Sequence, residues 1–179
     1  IRFRVFSGGM MMGDRMGPWN EVAPYVKEGA WKTVENRTGV HFGKKFLEEV
    51  LEPGTSIASS LEPAIALSVF KSFETGKDVF YAAALQRAIY QDGVESTNLQ
   101  GFIPYAEELG VDPVEFQIRL KDPSNHDKAF DDFRTCQRFG IHGFPSTVLL
   151  HEDQYYLIGR GYSDLETMKA RIEEVIGEK

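Results

Sequence analysis

The sequence predicts an α/β fold in which a large helical block is inserted into a small sheet-containing domain. Three observations lead to this prediction. Residues 1–7 alternate between apolar and polar side chains with the period of a strand, and residues 18–123 carry helical periodicity. The chain then continues with a helix, a proline turn, two apolar strands and a final helix. Because a single strand cannot stand alone and a two-stranded hairpin is marginal, we expect both ends of the chain to share one sheet.

The composition excludes several classes of protein. The 179 residues are 42% hydrophobic, enough to form a core, and the formal net charge is −7. An acidic chain is a poor partner for nucleic acid, which requires a basic surface. No apolar run is long enough to span a bilayer. We therefore expect neither nucleic acid nor a membrane among the partners of this protein.

The single cysteine and the four histidines limit the chemistry of the chain. Cys136 has no partner for an internal disulfide, and a lone cysteine favours a cytoplasmic protein. The histidines are not spaced as metal ligands on a helix, and no nucleotide-binding or serine-hydrolase motif occurs. We therefore expect no metal and no cofactor. Cys136 falls on the apolar face of a predicted helix, where a cysteine is typically a small inert hydrophobe.

A segment rich in glycine and methionine, "GGMMMGDRMG" at residues 8–17, follows the first predicted strand. Methionine adapts to irregular apolar surfaces and is common at promiscuous binding sites. The alternative is that these side chains fill gaps in the core. Three consecutive methionines beside two glycines favour a binding loop, and we predict that Met10 and Met11 contact substrate.

Helices are predicted along residues 18–123. Trp19, Val22 and Val26 recur on one helical face, and Pro24 is expected to bend or restart that helix. Further helices are predicted within residues 44–51, 59–76, 77–93, 99–110 and 112–122. No internal repeat interrupts this block.

The C-terminal part of the chain changes period. A helix is predicted over residues 123–140, capped by Ser124 or Asn125. Its apolar residues on one face are Phe130, Phe133 and Cys136. Residues 146–152 are β-branched and apolar and predict a strand, and residues 155–161 predict a second one. With the polar turn at residues 152–154 they predict an antiparallel hairpin. A last helix is predicted with a capping box from Ser163 to Glu166 and with an inner face formed by Leu165, Met168, Ile172 and Val175 or Ile176.

A proline stands at the head of the first hairpin strand, in "GIHGFPSTVLL" at residues 140–150. Proline cannot donate a hydrogen bond to a strand ladder, so it is confined to the first residue, an edge or a bulge. Here it follows a predicted helix end and precedes an apolar strand. We therefore expect a loop in which the bond from Phe144 to Pro145 is cis.

This layout resembles the thioredoxin fold, and more closely its DsbA-like branch, in which a helical domain is inserted into the thioredoxin domain. The residues that carry the resemblance are 139–150, which are similar to the helix end, cis-proline and strand of that family, and 5–18, which are similar to the second strand and loop of the FrnE-like group. The resemblance implies a thioredoxin-like domain formed by residues 1–17 and 124–179, with residues 18–123 as the inserted helical domain.

The same resemblance implies a thiol–disulfide oxidoreductase or isomerase acting on cysteine-containing proteins or small disulfides. In that family the backbone of the residue before the proline pairs with an extended substrate segment. The corresponding residue here is Phe144. Gly143 and Pro145 flank it, and we expect His142 to lie near the active centre, where it could tune a thiolate. These four residues, with Met10 and Met11, are the predicted substrate-binding site.

The catalytic Cys-x-x-Cys pair of that family does not occur in these residues. Disulfide exchange requires a thiolate and a resolving thiol, and Cys136 cannot supply both. We expect the first strand, the cysteine pair and the first helix to lie before Ile1, since a strand that begins at the first residue without methionine indicates earlier chain. A degenerate family member that lacks the chemistry is the alternative.

Two further functions stay open. Kappa-class glutathione transferases and hydroxychromene-carboxylate isomerases share the inserted architecture and use glutathione with a serine. A chain without a redox pair could also be a redox-inactive protein that binds extended peptides. The sequence does not specify the oligomeric state.

Overall fold

The computed structural model describes residues 2–177 and divides into two compact units, Ile1–Cys136 and Gln137–Lys179. The first unit is mainly helical. Its α-helices are α1 Trp19–Val22, α2 Trp31–Thr38, α3 Leu61–Lys71, α4 Asp78–Tyr90, α5 Ile103–Glu107, α6 Pro113–Leu120 and α7 Pro123–Arg138, the last of which runs into the second unit. Strands β1, Gly17–Pro18, and β2, Ile57–Ala58, form a two-residue antiparallel pair.

Shorter helical segments of other types complete the first unit. Residues Val26–Ala30 and Lys45–Leu51 form π-helical turns, and Gly13–Arg15 and Leu99–Phe102 form 3₁₀ turns. The predicted restart at Pro24 occurs: α1 ends at Val22, Ala23 leaves the helical region with φ −145°, and helical structure resumes at Pro24. A proline at a helix start loses nothing, because its missing N–H would have had no partner there.

The core of the first unit is aromatic. Its largest fully buried side chains are Tyr81, Phe46, Phe70, Phe102 and Phe116. Tyr81 stacks on Phe70 with ring centroids 4.2 Å apart, and its hydroxyl donates to the Phe102 carbonyl at 3.1 Å. Every residue of α3 from Ala64 to Phe70 is buried. A helix that is apolar on all sides belongs in the centre of a bundle, and α3 is that helix here.

The strand predicted over residues 1–7 is wrong for residues 2–7, which have no regular secondary structure; Ile1 lies outside the described residues. The physical reason is visible at the end of the segment. The Ser7 N–H donates to Asp132 Oδ2 at 3.1 Å, and the Cys136 thiol donates to the Ser7 carbonyl at 3.5 Å. Side chains of α7 thus take the backbone groups of Ser7 that a neighbouring strand would otherwise bind.

The predicted N-caps of the last two helices are displaced. For α7 the cap is Asp122, whose carboxylate accepts the Ser124 N–H at 2.9 Å, instead of Ser124 or Asn125. For the final helix the cap is Asp164, which accepts the Thr167 N–H at 2.7 Å. These backbone hydrogen bonds lower the pKa of both carboxyls. An ionised carboxylate is the better acceptor for the free N–H groups at a helix start, so aspartate takes both cap positions.

The second unit contains the predicted hairpin, which is confirmed. Strands β3, Ser146–His151, and β4, Gln154–Arg160, pair antiparallel, with His151 opposite Gln154. Glu152 and Asp153 form the turn with φ of 48° and 62°, as a two-residue hairpin turn requires. A bulge shifts the register, because Thr147 faces Gly159 whereas Val148 faces Leu157.

The last helix, α8, spans Leu165–Gly177. Of its predicted inner face, Met168, Ile172 and Val175 are partly buried, whereas Leu165 and Ile176 are exposed. Arg171 ties the helix to the hairpin, donating to the Ile158 carbonyl at 2.8 Å. The predicted face is therefore correct at Met168, Ile172 and Val175, the first of the two residues predicted for its last position, and wrong at Leu165.

Candidate functional site

The proline loop connects α7 to β3 in the second unit. Gly140, with φ 65°, follows the helix and donates its N–H to the Gln137 carbonyl at 2.9 Å. Residues 141–145 then run without regular secondary structure. The Phe144–Pro145 peptide bond is cis, the isomer that the sequence indicates. The loop therefore has the local form expected of it.

Two hydrogen bonds fix the loop on either side of Phe144. The Ser146 hydroxyl donates to the Gly143 carbonyl at 2.7 Å, and the Gly161 N–H donates to the Pro145 carbonyl at 2.8 Å. Within residues 2–177, the N–H and carbonyl of Phe144 itself take part in no hydrogen bond. Phe144 thus presents free backbone groups between two anchored neighbours, an arrangement that an extended peptide can pair with.

The predicted site residues around Phe144 are accessible. His142, Gly143 and Pro145 are exposed, and the Phe144 side chain is half-buried. A side chain placed on Gly143 would meet no atom within 4 Å. The loop is therefore open to a ligand along its outer side.

The two methionines of the predicted site lie in the first unit. Met10 is 40% exposed, whereas Met11 packs partly buried against the core. Met11 also donates its N–H to the Ser60 hydroxyl at 2.9 Å and accepts the Ser60 N–H at 3.0 Å. Met10 and Met11 therefore differ: Met10 is presented to solvent, and Met11 is a structural contact. That the methionines and the proline loop act on one substrate stays a prediction.

Cys136 has the surroundings of a structural thiol. It is 6% exposed and donates to the Ser7 carbonyl. Burial, followed by the nearby Asp132 carboxylate, raises the pKa of the thiol. A raised pKa keeps the sulfur protonated, and a protonated thiol is a poor nucleophile.

Asp132 is a buried acidic residue that carries no motif in the sequence. It is 8% exposed, and its Oδ2 accepts both the Ser7 N–H and the Lys71 ammonium, the latter at 2.7 Å. An aspartate one helical turn before Cys136 is visible in the sequence. Its partners are not, because Lys71 and Ser7 lie far away along the chain.

Among the residues that the structure describes, no three or more histidine, cysteine, aspartate or glutamate side chains are grouped as metal ligands. None of the helices within residues 2–177 has both the length and the apolarity needed to cross a membrane.

The elements and the loop define a class by their fold alone: the chain has a DsbA-like thioredoxin fold. It is similar to the crystal structure of a candidate protein disulfide isomerase from Nitrosomonas europaea, with a TM-score of 0.78 and 23% identity over 88% of this chain and 75% of the other.

It is also similar to the cytosolic disulfide reductase DsbM from Pseudomonas aeruginosa, with a TM-score of 0.74 and 22% identity over 98% of this chain and 84% of that one. The structure of DsbM with GSH gives a TM-score of 0.73 at the same identity. No protein-family model matches the chain. No curated protein sequence matches it either.

Proposed function

We propose that this chain belongs to a thiol–disulfide oxidoreductase or isomerase of the DsbA/FrnE-like type. The observation that carries the proposal is the Phe144 backbone, which is unpaired within residues 2–177 and lies beside the exposed Pro145. It occurs in a fold whose solved neighbours are named as a disulfide isomerase and a disulfide reductase. An unpaired N–H and carbonyl on a loop can hold a substrate segment in extended form, which presents a disulfide to attack.

The catalytic cysteines in this proposal precede Ile1 in the full protein. One thiolate attacks a substrate sulfur, the substrate disulfide breaks, and a mixed disulfide forms. The second thiol, as its thiolate, then displaces the substrate sulfur, so that the substrate is reduced by two electrons and the enzyme pair is oxidised. Cys136 takes no part, because it is buried and its pKa is raised.

The domain arrangement proposed for this activity joins residues 1–17 with 124–179 and treats 18–123 as an inserted helical domain. Within it, Gly143, Phe144 and Pro145 bind the substrate backbone and His142 lies near the reacting sulfurs. Substrates are cysteine-containing proteins or small disulfides. We place the protein in the cytoplasm, in keeping with the single cysteine and with a neighbour named as cytosolic.

The first experiment is a thiol count on the full-length protein. Intact mass before and after alkylation under reducing conditions is expected to show at least two thiols besides Cys136. Disulfide reduction of a protein substrate should then proceed in wild type and in Cys136→Ser alike. A single alkylated thiol, or an activity that depends on Cys136, would overturn the proposal.

The backbone role of Phe144 has its own test in the same assay. Phe144→Pro removes the N–H that would donate to substrate and is expected to raise KM for a protein disulfide about tenfold, a loss typical of one backbone hydrogen bond to a ligand. Tyr162→Ser, at an exposed position of the same unit, is the matched control. Equal KM values in the two variants would contradict the assignment.

A glutathione-dependent transferase or isomerase of the kappa or hydroxychromene-carboxylate type is the second candidate. It is favoured by the absence of a cysteine pair in these residues and by the neighbour whose structure is named as containing GSH. It predicts an upstream serine and saturable glutathione binding without disulfide reduction. Peptide binding with neither activity would instead identify a redox-inactive binding protein.

A further inference from the structure

Strand β4 has an unpaired edge. Among the residues that the structure describes, β4 pairs with β3 and with no other strand. His151 and Gln154 flank the two-residue turn as a hydrogen-bonded pair, and hydrogen-bonded and non-hydrogen-bonded pairs alternate from there. Tyr155 and Leu157 therefore direct their N–H and carbonyl groups away from β3. Within residues 2–177 these groups take part in no other backbone hydrogen bond.

The side chains of this edge do little to prevent pairing with another strand. Natural edge strands are commonly protected by proline, lysine or an inward-pointing charge. Residues 154–157 contain none of these, and Tyr155 and Leu157 are 59% and 44% exposed. The bulge at Ile158 ends the regular edge, because Val148 faces Leu157 whereas Thr147 faces Gly159. Pairing with an added strand is therefore confined to the first half of β4.

A groove runs along the same edge, between β4 and α8. It has a volume of about 660 Å³ and is lined by residues 155–160 of β4 and by Arg171, Glu174 and Val175 of α8. Arg171 is held there by its hydrogen bond to the Ile158 carbonyl at 2.8 Å. All of these residues belong to the second unit. An added strand therefore has room beside β4 without any contribution from the first unit.

The charges at the two ends of β4 are complementary to each other. Glu152 and Asp153 form the turn before the strand, Arg160 ends it, and all three are exposed. A second β4 that pairs antiparallel about a two-fold axis places each acidic turn beside Arg160 of the other copy. With Tyr155 opposite Leu157 of the second copy, the outward backbone groups are paired and apolar side chains meet across the strands. Because a peptide of unrelated sequence lacks these matched ends, a second copy is the occupant that the charges favour.

We propose that two copies of this protein associate through β4, each adding its strand antiparallel to the other so that the two hairpins form one continuous sheet. The contact uses neither the proline loop nor the catalytic cysteines, so it does not depend on the proposed function. The paired segment is short, and short interfaces form reversible complexes. We expect a dimer with a Kd of about 10 µM.

The first measurement uses the full-length protein with a reductant present, so that no disulfide links the copies. Sedimentation velocity between about 1 and 100 µM should show the mass change from that of a monomer to that of a dimer. Hydrogen exchange over the same range should show the Tyr155 and Leu157 amides becoming protected as the concentration rises. The Tyr156 amide, which already faces β3, should not change and is the internal control.

Two variants separate the backbone contribution from the charges. Tyr155→Pro removes an N–H that points away from β3, which an edge strand tolerates, and should stay monomeric throughout. Arg160→Glu places like charges beside each acidic turn and should raise the dimer Kd at least about tenfold. Arg160→Lys keeps the charge and should stay within about twofold of wild type. If Tyr155→Pro does not fold, the comparison of the two Arg160 variants carries the test.

Three results would overturn the proposal. One is a wild-type protein that stays monomeric at about 100 µM. Another is a dimer in which the Tyr155 and Leu157 amides exchange as fast as in the monomer, since the copies would then meet through a different surface. The third is equal dimer affinity in Arg160→Glu and Arg160→Lys. Failure to exchange disulfides would refute the proposed function and leave this dimer unaffected.

Discussion

The two units of the molecule differ in how they bury apolar side chains. The first unit buries large aromatic rings completely, among them Phe46, Phe70 and Phe116. In the described part of the second unit, Ile158 is the one large hydrophobic residue less than a tenth exposed, whereas Leu150 and Tyr155 are more than half exposed. Buried apolar area is the main favourable term in folding. We conclude that most of the free energy of folding comes from the first unit. The proline loop belongs to the second unit, whose hairpin and helix bury few apolar side chains.

The largest expected effect is in the aromatic core. Phe70→Ala removes the ring that stacks on Tyr81 at 4.2 Å and should lower the free energy of unfolding by about 3–5 kcal/mol. Urea denaturation followed by circular dichroism measures it. Leu150→Ala, at a position 55% exposed in the second unit, is the matched control and should cost less than about 0.5 kcal/mol. Similar losses in the two variants would break the comparison.

The next largest effect is expected at Ile158, in the second unit, and it tests whether the two units unfold separately. Ile158→Ala should destabilise the hairpin by about 2–4 kcal/mol, because it removes the one deeply buried aliphatic side chain described there. Hydrogen exchange should accelerate at the β3 and β4 amides and stay unchanged in α3. Equal acceleration in α3 would mean that the units unfold together.

A smaller effect is expected at a polar group of the core. Tyr81→Phe keeps the ring but removes the hydroxyl that donates to the Phe102 carbonyl at 3.1 Å. The loss should be about 1–2 kcal/mol in urea denaturation, the value of one buried hydrogen bond. Burial also raises the pKa of Tyr81, so its phenol should not titrate while the protein is folded. A phenolate signal from Tyr81 in the native state would contradict this packing.

The smallest effect concerns the start of α8. Hydrogen bonds from the Thr167 backbone hold the pKa of Asp164 below its ordinary value of 3.8. The cap therefore stabilises fully above about pH 4 and loses its effect as the pH falls through the lowered pKa. Asp164→Ala should speed hydrogen exchange in the first turn of α8 near pH 7, and the difference from wild type should vanish in strong acid. Asp164→Asn, which keeps an acceptor, should exchange more like wild type.

Local chemistry explains which parts of the fold were predictable. The hairpin was predictable because a β-branched run and an aromatic and aliphatic run flank a short polar turn, and the proline loop because Pro145 cannot belong inside a ladder. The restart at Pro24 follows from the ring of that residue alone. Each of these signals lies within a few residues of the structure that it specifies.

Long-range contacts explain the errors. The alternation in residues 2–7 is genuine, but Ser7 is held by Asp132 and Cys136, which the local pattern does not contain. The candidate site likewise has one part that local sequence predicts and one part that depends on long-range contacts. The proline loop was predictable from neighbouring residues, whereas the anchoring of Met11 by Ser60 required the fold.

The hairpin turn at Glu152 and Asp153 has a practical consequence. Both residues are exposed, and both have positive φ without being glycine. Exposed loop tips are the sites at which inserted residues are best tolerated. A fluorophore or a short tag placed between them would report on the unit that carries the proline loop without touching the loop itself.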